Sequence, residues 1–398
     1  MTEAPVARVA DVVGVLEALY DPRWAQDWDS VGLVVGHPED GVRRVLLAVD
    51  PVLAVIDEAR EWGADLLVTH HPLLLRGVHS VATTSAKGRA VTALVRGGIA
   101  LHVAHTNADV ARPGVSDALA DAIGLKELRP LRPVPRDSAA AGDSQPLDKL
   151  VTFVPHGDAQ RLIDALAAAG AGELGDYARC AWTTRGIGTF VPLPDADPAV
   201  GEVGTAATVD ETRVEMVLRR ERRAAVVTAL RAAHPYEEPA FDVLELASSE
   251  AVAPGSGRGL GRVGRLPRAE TLERFGRRVA EALPATAGPV RVAGAPDRMV
   301  QAVAVCGGAG DDMFDDVRVA GVDAYVTADL RHHPASEAAE QGGPVLVDCS
   351  HWATEWPWLR HAERLLQDGL TSRGITVETR VSTLVTDPWT GTAGPTGP

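Results

Sequence analysis

The first third of the chain alternates between short apolar runs and amphipathic stretches, and this alternation most restricts the possible folds. The apolar runs Val45–Val49, Asp65–Thr69 and Ile99–Val103 are separated by helical patterns at Val52–Trp62 and Ser85–Arg96. Short buried strands that alternate with helices form largely parallel sheets, because each helical crossover covers one face of the sheet. We therefore predict an α/β lobe over residues 1–130.

A different pattern occupies residues 131–258. Stretches rich in Pro, Ala, Gly and Ser mark both of its ends, at residues 131–144 and 247–258. Such compositions are typical of surface linkers. Between them the pattern runs strand, helix, strands, helix, strand, which predicts an inserted α+β module of the ferredoxin-like sort.

Alternation of strands and helices returns after Gly259 and predicts a second α/β lobe over residues 259–386, again with a mostly parallel sheet. The segment 387–398 has no hydrophobic periodicity, so we expect a disordered tail. The predicted fold class is thus α/β, with two lobes flanking an inserted α+β domain.

Charge and composition exclude several classes of function. The 398 residues contain 39 Lys and Arg against 54 Asp and Glu, a formal net charge of −15, without a basic cluster. This balance argues against extended binding of nucleic acid or anionic lipid. No apolar run approaches the roughly 18 residues that cross a bilayer, and no secretory signal is recognisable, so we expect a cytoplasmic protein. Three widely spaced Cys exclude a disulfide framework and a Cys-x-x-Cys metal site.

The candidate functional residues are His and carboxylate side chains that follow predicted strands. They are His70 and His71 after the second strand, His105 and Asp109 after the third, and His351 and Glu355 after the strand at 345–347. Ligands of open parallel sheets bind beyond the carboxyl ends of the strands, so we expect these side chains to converge.

Five of these residues form the predicted ligand set for two metal ions, namely His70, His71, Asp109, His351 and Glu355. Adjacent His in an extended chain point in different directions and suit two ions better than one. His351 and Glu355 have the i, i+4 spacing that places two side chains on one helix face. Imidazole with carboxylate suits zinc, manganese, iron or cobalt, and two such ions activate water for hydrolysis. We expect His105 and Asp329 to support the ligands.

Three other motifs have two interpretations each. A lone His after a strand is more often a polar residue with satisfied hydrogen bonds than a ligand. His332 and His333 either bind a metal or serve a structural role, in which they cap a helix or line the cavity. Residues Cys306-Gly-Gly-Ala-Gly-Asp311 either cradle a phosphate or carboxylate at a helix start or form a tight turn near the site. Residues His234-Pro-Tyr-Glu-Glu238 either bind a metal or regulator or form a structural turn.

Five ordered motifs resemble the GTP cyclohydrolase 1 type 2 homolog family, the Nif-three-like dinuclear-metal proteins. The motifs are Trp28-Asp-Ser-Val-Gly-Leu33, Thr69-His-His-Pro72, His105-Thr-Asn-Ala-Asp109 with Pro113-Gly-Val-Ser-Asp117, Val305-Cys-Gly-Gly-Ala-Gly310, and His351-Trp-Ala-Thr-Glu355. The resemblance implies metal ligands at His70, His71, Asp109, His351 and Glu355. It also implies two divalent ions per chain and a ring-shaped homohexamer whose metal sites face an internal cavity.

The insert resembles the PII/CutA-like module of the longer family members. The matching segments are Leu150-Val-Thr-Phe-Val-Pro155, Gly170-Ala-Gly172, Gly186-Ile-Gly-Thr-Phe190 and His234-Pro-Tyr-Glu-Glu-Pro239. Ser30 and Ala108 depart from the Asn and Leu common in the family, and neither is a ligand position.

The leading functional hypothesis is a hydrolase that depends on two metal ions and acts on a nucleotide or related phosphorylated small molecule through metal-activated water. The family name implies opening of the guanine ring of GTP with release of formate, and the same site would serve phosphoester hydrolysis. The alternative is a metal-binding regulatory or scaffold protein whose PII-like insert senses a ligand. The sequence assigns no protein base.

Overall fold

The computed structural model describes residues 6–134, 146–246 and 257–393. The chain divides into two compact units, one formed by residues 1–134 together with 257–398 and the other by residues 135–256. The expected linkers lie largely in 135–145 and 247–256, outside the described residues. The stretches before and after the insert therefore build one unit.

The elements of the larger unit before the insert begin with a short strand and end with a long one. They are β1 (Ala7–Arg8), α1 (Val9–Leu19), β2 (Gly32–Val35), β3 (Gly41–Val42), β4 (Arg44–Ala48), α2 (Leu53–Trp62), β5 (Leu66–Thr69), α3 (Ala86–Gly97), β6 (Ala100–Val103), α4 (Thr106–Val110), α5 (Val115–Ala122) and β7 (Lys126–Pro133).

The smaller unit has the predicted order of strands and helices. Its elements are β8 (Leu147–Pro155), α6 (Ala159–Ala168), β9 (Ala181–Phe190), β10 (Ala207–Arg219), α7 (Arg223–Ala233) and β11 (Phe241–Glu245). The antiparallel sheet has the order β11-β8-β10-β9. Apolar side chains of both helices, such as Leu162 and Leu230, pack with Val214 and Leu218 of the sheet. This is a ferredoxin-like arrangement with both helices on one face.

The elements of the larger unit after the insert begin with a long strand. They are β12 (Gly259–Thr271), α8 (Leu272–Ala282), β13 (Arg291–Ala293), β14 (Met299–Ala309), α9 (Phe314–Ala320), β15 (Ala324–Ala328), α10 (His332–Glu340), β16 (Val345–Cys349), α11 (His351–Ser372) and β17 (Glu378–Val381).

Two larger sheets build this unit, beside a two-stranded antiparallel pair of β1 and β3. The five-stranded sheet has the order β17-β4-β5-β6-β2, and only β2 runs antiparallel to its neighbour. The six-stranded sheet has the order β13-β16-β15-β14-β12-β7, with β14, β15 and β16 parallel and the other pairs antiparallel. The prediction of a mostly parallel sheet in the second lobe is therefore wrong, because this sheet is mixed.

Strand β12 explains this error. The sequence pattern predicts a linker up to residue 258 and alternating strands and helices after Gly259, but one long strand runs over Gly259–Thr271 and pairs with both β7 and β14. Glycines at 259, 261 and 264 interrupt the apolar alternation that marks a strand. Gly261 has φ +63°, and a Cβ there would lie 2.9 Å from the carbonyl oxygen of Val305, so the glycine permits the close strand contact.

The boundaries expected for the two lobes also change. Strand β7 adds to the six-stranded sheet, and β17 pairs in parallel with β4 of the five-stranded sheet. The first residue of the expected tail is ordered against the larger unit, because Asp387 is buried and accepts a hydrogen bond from Ser350. Residues 394–398 lie outside the described part of the chain. The sections before and after the insert thus complete each other's sheets.

Helix α11 contacts strands of both larger sheets, and it also contacts helices α1 and α5. One apolar cluster joins these elements, and within it the indole N–H of Trp358 donates to the hydroxyl of Tyr20 at 3.2 Å. Smaller clusters cover the outer faces of the two sheets. No helix among the described residues has the length and apolarity needed to span a membrane.

Candidate metal centre

Four His side chains from three strand ends meet in one place, and we call His70, His71, His105 and His351 the imidazole cluster. His70 and His71 follow β5, His105 follows β6, and His351 begins α11 directly after β16. Ring centroids are 5.1 Å apart for His70 and His71, 5.2 Å for His70 and His105, and 5.2 Å for His71 and His351. The carboxyl ends of parallel strands from both sheets supply the cluster, as expected for ligand sites of such sheets.

An oxygen acceptor holds the Nδ1–H group of every imidazole in the cluster. His70 donates from Nδ1 to the carbonyl oxygen of Ala104 at 2.9 Å, and His71 donates from Nδ1 to Asp50 at 2.7 Å. In the same way, His105 donates to Asp29 at 2.9 Å and His351 donates to Asp329 at 2.7 Å. Carbonyl and carboxylate oxygens have no proton to give, so Nδ1 carries the proton in each ring. In the neutral ring this leaves the Nε2 lone pair available to a metal ion.

Glu355 lies among the Nε2 atoms. Its Oε1 is 2.9 Å from Nε2 of His351 and 3.5 Å from Nε2 of His70, and its Oε2 is 3.1 Å from Nε2 of His71. The residue is only 3% exposed. The i, i+4 spacing on α11 brings His351 and Glu355 to one helix face, as the sequence indicates.

Asp109 lies at the edge of the cluster on the short helix α4. Its Oδ1 is 3.8 Å from Nε2 of His70. Burial raises the pKa of the Asp109 carboxyl, and the nearby His70 and His105 oppose this effect. A cation in the cluster would favour the ionised form.

The charges of the cluster depend on one another. Burial alone would raise the pKa of Glu355, but the imidazoles of His71, His351 and His70 outweigh burial and hold this pKa well below its usual range. Burial alone would lower the pKa of His351, but Glu355 and Asp329 outweigh burial and raise this pKa to about 9. The pKa of His71 is also raised, because Glu355 and Asp50 outweigh its burial. One buried carboxylate therefore attracts positive charge to several imidazoles at once.

The donor atoms fit a transition-metal site. Within the described residues, two groups have ligand atoms within 4.8 Å of one another: His70 with His71 and His105, and His71 with His351 and Glu355. Nε2 of His70 and Oε2 of Glu355 are buried without a hydrogen-bond partner. Buried polar atoms without partners are costly, and metal coordination satisfies them. Imidazole nitrogen with carboxylate oxygen suits zinc, manganese, iron or cobalt.

The structure places His105 and Asp329 differently. His105 lies within the imidazole cluster, with its ring 5.2 Å from that of His70. Asp329 lies outside the cluster, accepts a hydrogen bond from Nδ1 of His351 and has φ +56°.

Two carboxylates that orient imidazoles of the cluster were not predicted from the sequence. Asp29 accepts from His105, and Asp50 accepts from His71. Asp50 follows β4 just as His70 follows β5, so its position after a strand is a signal that could have identified it. Asp29 had no such signal beyond its place in the Trp28–Leu33 motif.

The glycines after Cys306 serve close packing. The N–H of Gly307 donates to Ser116 at 3.3 Å and that of Gly308 to Thr354 at 2.9 Å, so side chains of the protein use both groups. A Cβ at Gly308 would lie 2.5 Å from Oε1 of Glu355. Residues 306–309 form the end of β14 rather than the tight turn expected, and the glycines let this strand lie close to Glu355.

The remaining His motifs lie outside the cluster. His332 and His333 are exposed at the start of α10. In the insert, Nε2 of His234 donates to the Phe153 carbonyl at 2.9 Å and Nδ1 accepts from the N–H of Tyr236 at 3.1 Å. Both ring nitrogens of His234 are thus satisfied by backbone, which supports the structural turn.

Comparison with known proteins gives consistent matches over nearly the whole chain. A family model described as Duf34/NIF3 (NGG1p interacting factor 3) matches residues 7–388. The GTP cyclohydrolase 1 type 2 homolog of Mycobacterium tuberculosis is 50% identical over 382 residues, covering 96% of both chains. The protein of the same name from Bacillus subtilis is 36% identical over 362 residues, covering 91% of this chain and 90% of its own. The crystal structure of a Bacillus cereus protein related to NIF3 has a TM-score of 0.64 at 33% identity, covering 97% of this chain and 99% of that one.

Proposed function

The chain belongs to the Duf34/NIF3 family, and on this premise we propose that it is a hydrolase that binds two divalent metal ions and acts on a nucleotide or related phosphorylated small molecule. The observation that carries the proposal is the fixed orientation of all four cluster imidazoles, whose Nδ1 atoms are held by oxygens while Glu355 lies among their Nε2 atoms. Support for two ions comes from the number of donors, because the two groups together hold five different side chains and a single tetrahedral ion needs four.

The residues proposed as ligands are those of the sequence analysis with one addition. They are His70, His71, Asp109, His351 and Glu355, with His105 added because its donor atom lies within 4.8 Å of those of His70 and His71. Zinc, manganese, iron and cobalt all suit this set. Two such ions, when bound, would supply Lewis acidity, which would lower the pKa of a water and stabilise negative charge on the substrate.

The protein itself contributes orientation and access. Asp29, Asp50 and Asp329 fix the tautomer and direction of three imidazoles, so the Nε2 atoms are arranged before any ligand arrives. Side-chain exposure is 34% at His351, 22% at His71 and 1% at His70, so the cluster is open on the His351 side. A substrate reaches the centre from that side, while the apolar core around Trp358 closes the opposite side.

The proposed substrate class rests on the relatives and on charge. Relatives that are 50% identical carry the name GTP cyclohydrolase 1 type 2 homolog, which points to a nucleotide. The formal charge of −15 would repel a phosphorylated compound, and two divalent cations in the cluster would provide local attraction.

The experiment compares Glu355→Gln with Glu363→Gln, a matched change two turns later on α11, where the carboxylate accepts from the Thr379 hydroxyl. Metal content is measured by elemental analysis, and release of formate or phosphate is measured with GTP and a panel of nucleoside phosphates. We expect wild type and Glu363→Gln to bind metal and turn over at least one substrate, and Glu355→Gln to lose most of both. Equal metal content and turnover in Glu355→Gln would contradict the proposal.

A cavity in the insert favours a second candidate, a metal-binding regulatory protein whose PII/CutA-like module senses a ligand. The cavity measures about 850 Å³ and is lined by Phe153, Phe190 and Tyr236, with Glu211 receiving a hydrogen bond from the Tyr236 hydroxyl at 2.9 Å. Apolar walls with a few polar groups and this volume are typical of small-molecule sites. A metabolite that raises the thermal midpoint of wild type but not of Tyr236→Ala, in a protein without turnover, would favour this candidate.

We also propose a homohexamer located in the cytoplasm, as the resemblance of the sequence implies. Light scattering on the purified protein tests the assembly, with six copies of a 41.8 kDa chain as the expected mass. A monomeric or dimeric mass at micromolar concentration would contradict it.

A further inference from the structure

Trp28 presents a large exposed aromatic surface next to the imidazole cluster. Its side chain lies in the loop before β2 and is 55% exposed. The indole ring is 5.9 Å from the ring of His105, at an interplanar angle of 80°. Single exposed aromatic residues are common on protein surfaces, so position and rigidity decide whether this one has a role.

Hydrogen bonds hold the loop of Trp28 against the beginning of α4. The indole N–H donates to Oε1 of Gln26 at 2.6 Å, and the backbone N–H of Gln26 donates to the Thr106 hydroxyl at 2.9 Å. Asp29 accepts from the backbone N–H of Thr106 at 3.0 Å and from Nδ1 of His105. The polar atom of the indole is thus already paired, and what remains exposed is its apolar and aromatic surface.

The same segment connects this surface to the cluster. Asp29, next to Trp28 in the chain, orients His105, so the indole and the imidazole keep a fixed relation. His105 is in turn 5.2 Å from His70 and 5.6 Å from His71, ring to ring. A molecule with one group at the metals and a planar group a few ångströms away would place that planar group at Trp28.

We infer that Trp28 is the stacking surface for the nucleobase of the substrate, which narrows the substrate class to nucleotides rather than sugar phosphates or other phosphorylated compounds without an aromatic ring. This inference rests on the proposed function. Every base has an aromatic face, and stacking on an indole adds affinity without a hydrogen-bond pattern. The phosphate or the reacting ring atom of the same molecule faces the cluster.

The test measures binding by calorimetry on metal-loaded protein, with guanosine monophosphate and ribose 5-phosphate as probes. The two probes share a phosphorylated ribose and differ in the base. We expect Trp28→Ala to weaken the affinity for guanosine monophosphate between about 5-fold and 100-fold. The affinity for ribose 5-phosphate should stay within about 2-fold of the wild-type value. Trp28→Phe should fall between wild type and Trp28→Ala, because a smaller ring still stacks.

Controls separate stacking from structural damage. Trp182→Ala changes an indole of similar exposure, 57%, in the insert and should bind both probes as wild type does. Metal content, measured on every variant, should stay at the wild-type value. Equal weakening of both probes by Trp28→Ala, or unchanged affinity for guanosine monophosphate, would overturn the inference while the proposed function stands. If the wild-type protein holds no metal, or binds neither probe in a metal-dependent way, both the inference and the proposed function are overturned.

Discussion

The guanidinium of Arg262 makes two parallel hydrogen bonds to the carboxylate of Asp117, with Nε to Oδ1 at 2.9 Å and Nη2 to Oδ2 at 2.6 Å. Arg262 belongs to β12 and is fully buried, and Asp117 lies in the first turn of α5. Nη2 also donates to the carbonyl of Ala111, directly after α4. Asp117 accepts from the N–H of Gly114 at 2.8 Å. This buried pair therefore fixes the turn that follows Asp109.

Replacing Arg262 by Met should destabilise the protein strongly, since it leaves the Asp117 carboxylate buried without its partner. Breaking one side of a buried ion pair costs about 3–5 kcal/mol. Urea unfolding measures the loss in free energy of unfolding. As a matched control, Arg277→Met removes an exposed i, i+4 pair with Glu273, which contributes about 0.5 kcal/mol or less. A loss below about 1 kcal/mol in Arg262→Met would show that the pair does not hold this turn.

Substituting Gly308 by Ala should reduce metal binding. The new Cβ would lie 2.5 Å from Oε1 of Glu355 and 3.1 Å from Nε2 of His351, so at least one donor atom must move. Gly321→Ala is the control, because Gly321 has a similar φ of +63° against +70° but nothing within 4 Å of its Cβ position. Elemental analysis should show wild-type metal content in the control and a clear deficit in Gly308→Ala. Equal metal content in both variants would mean that the site tolerates the methyl group.

Stability of the metal-free protein should fall as the pH rises from about 6.5 to about 9. The folded pKa of His351 is raised to about 9 by Glu355 and Asp329 against the effect of burial, while the unfolded value is about 6.5. The folded state holds more protons in this window, so the stabilisation is complete below the unfolded pKa and is lost as the pH passes the folded one. Urea midpoints across this range test the slope, and His351→Gln should flatten it.

Affinity for the metal should change in the opposite direction over the same range. An imidazole that carries a proton on Nε2 cannot bind a metal, so ions compete with protons at His351 and His71. Metal titrations followed by calorimetry should show tighter binding at pH 9 than at pH 6.5. An affinity that does not depend on pH in this window would argue against imidazole ligands.

Acid should destabilise the protein through His102, a buried side chain on β6 whose ring nitrogens have no hydrogen-bond partner. Burial lowers its folded pKa to about 4. Between about pH 6.5 and pH 4 the unfolded chain takes up a proton that the folded chain does not, so stability is lost as the pH falls. His102→Leu should reduce this loss, as measured by urea unfolding at both pH values. The same acid slope in the variant would assign it to other groups.

Much of the site is predictable from local sequence pattern. The strand ends place His70 and His71, and the i, i+4 spacing places His351 and Glu355 on one face of α11, because both relations involve residues close in the chain. Convergence also follows from the general rule for the carboxyl ends of parallel strands.

The less predictable part depends on pairs distant in sequence. His105 follows its strand just as His70 does, yet only the packing of β6 beside β5 brings the two rings to 5.2 Å. Asp29 lies 76 residues from His105, and no periodicity links them. Strand β12 was hidden because its glycines remove the alternation that local pattern requires.

The sequence by itself indicated most of the strands and helices, the inserted module and the His and carboxylate donors, since strand and helix periods and ligand types are local properties. Tertiary structure decided which strands pair, and so placed β17 in the sheet of β4 and β7 in the sheet of β12. It also decided that His105 belongs to the cluster and that Asp29 and Asp50 orient it. The physical reason is that register and side-chain contact between distant segments arise from burial of the shared core around α11, which no short window of sequence contains.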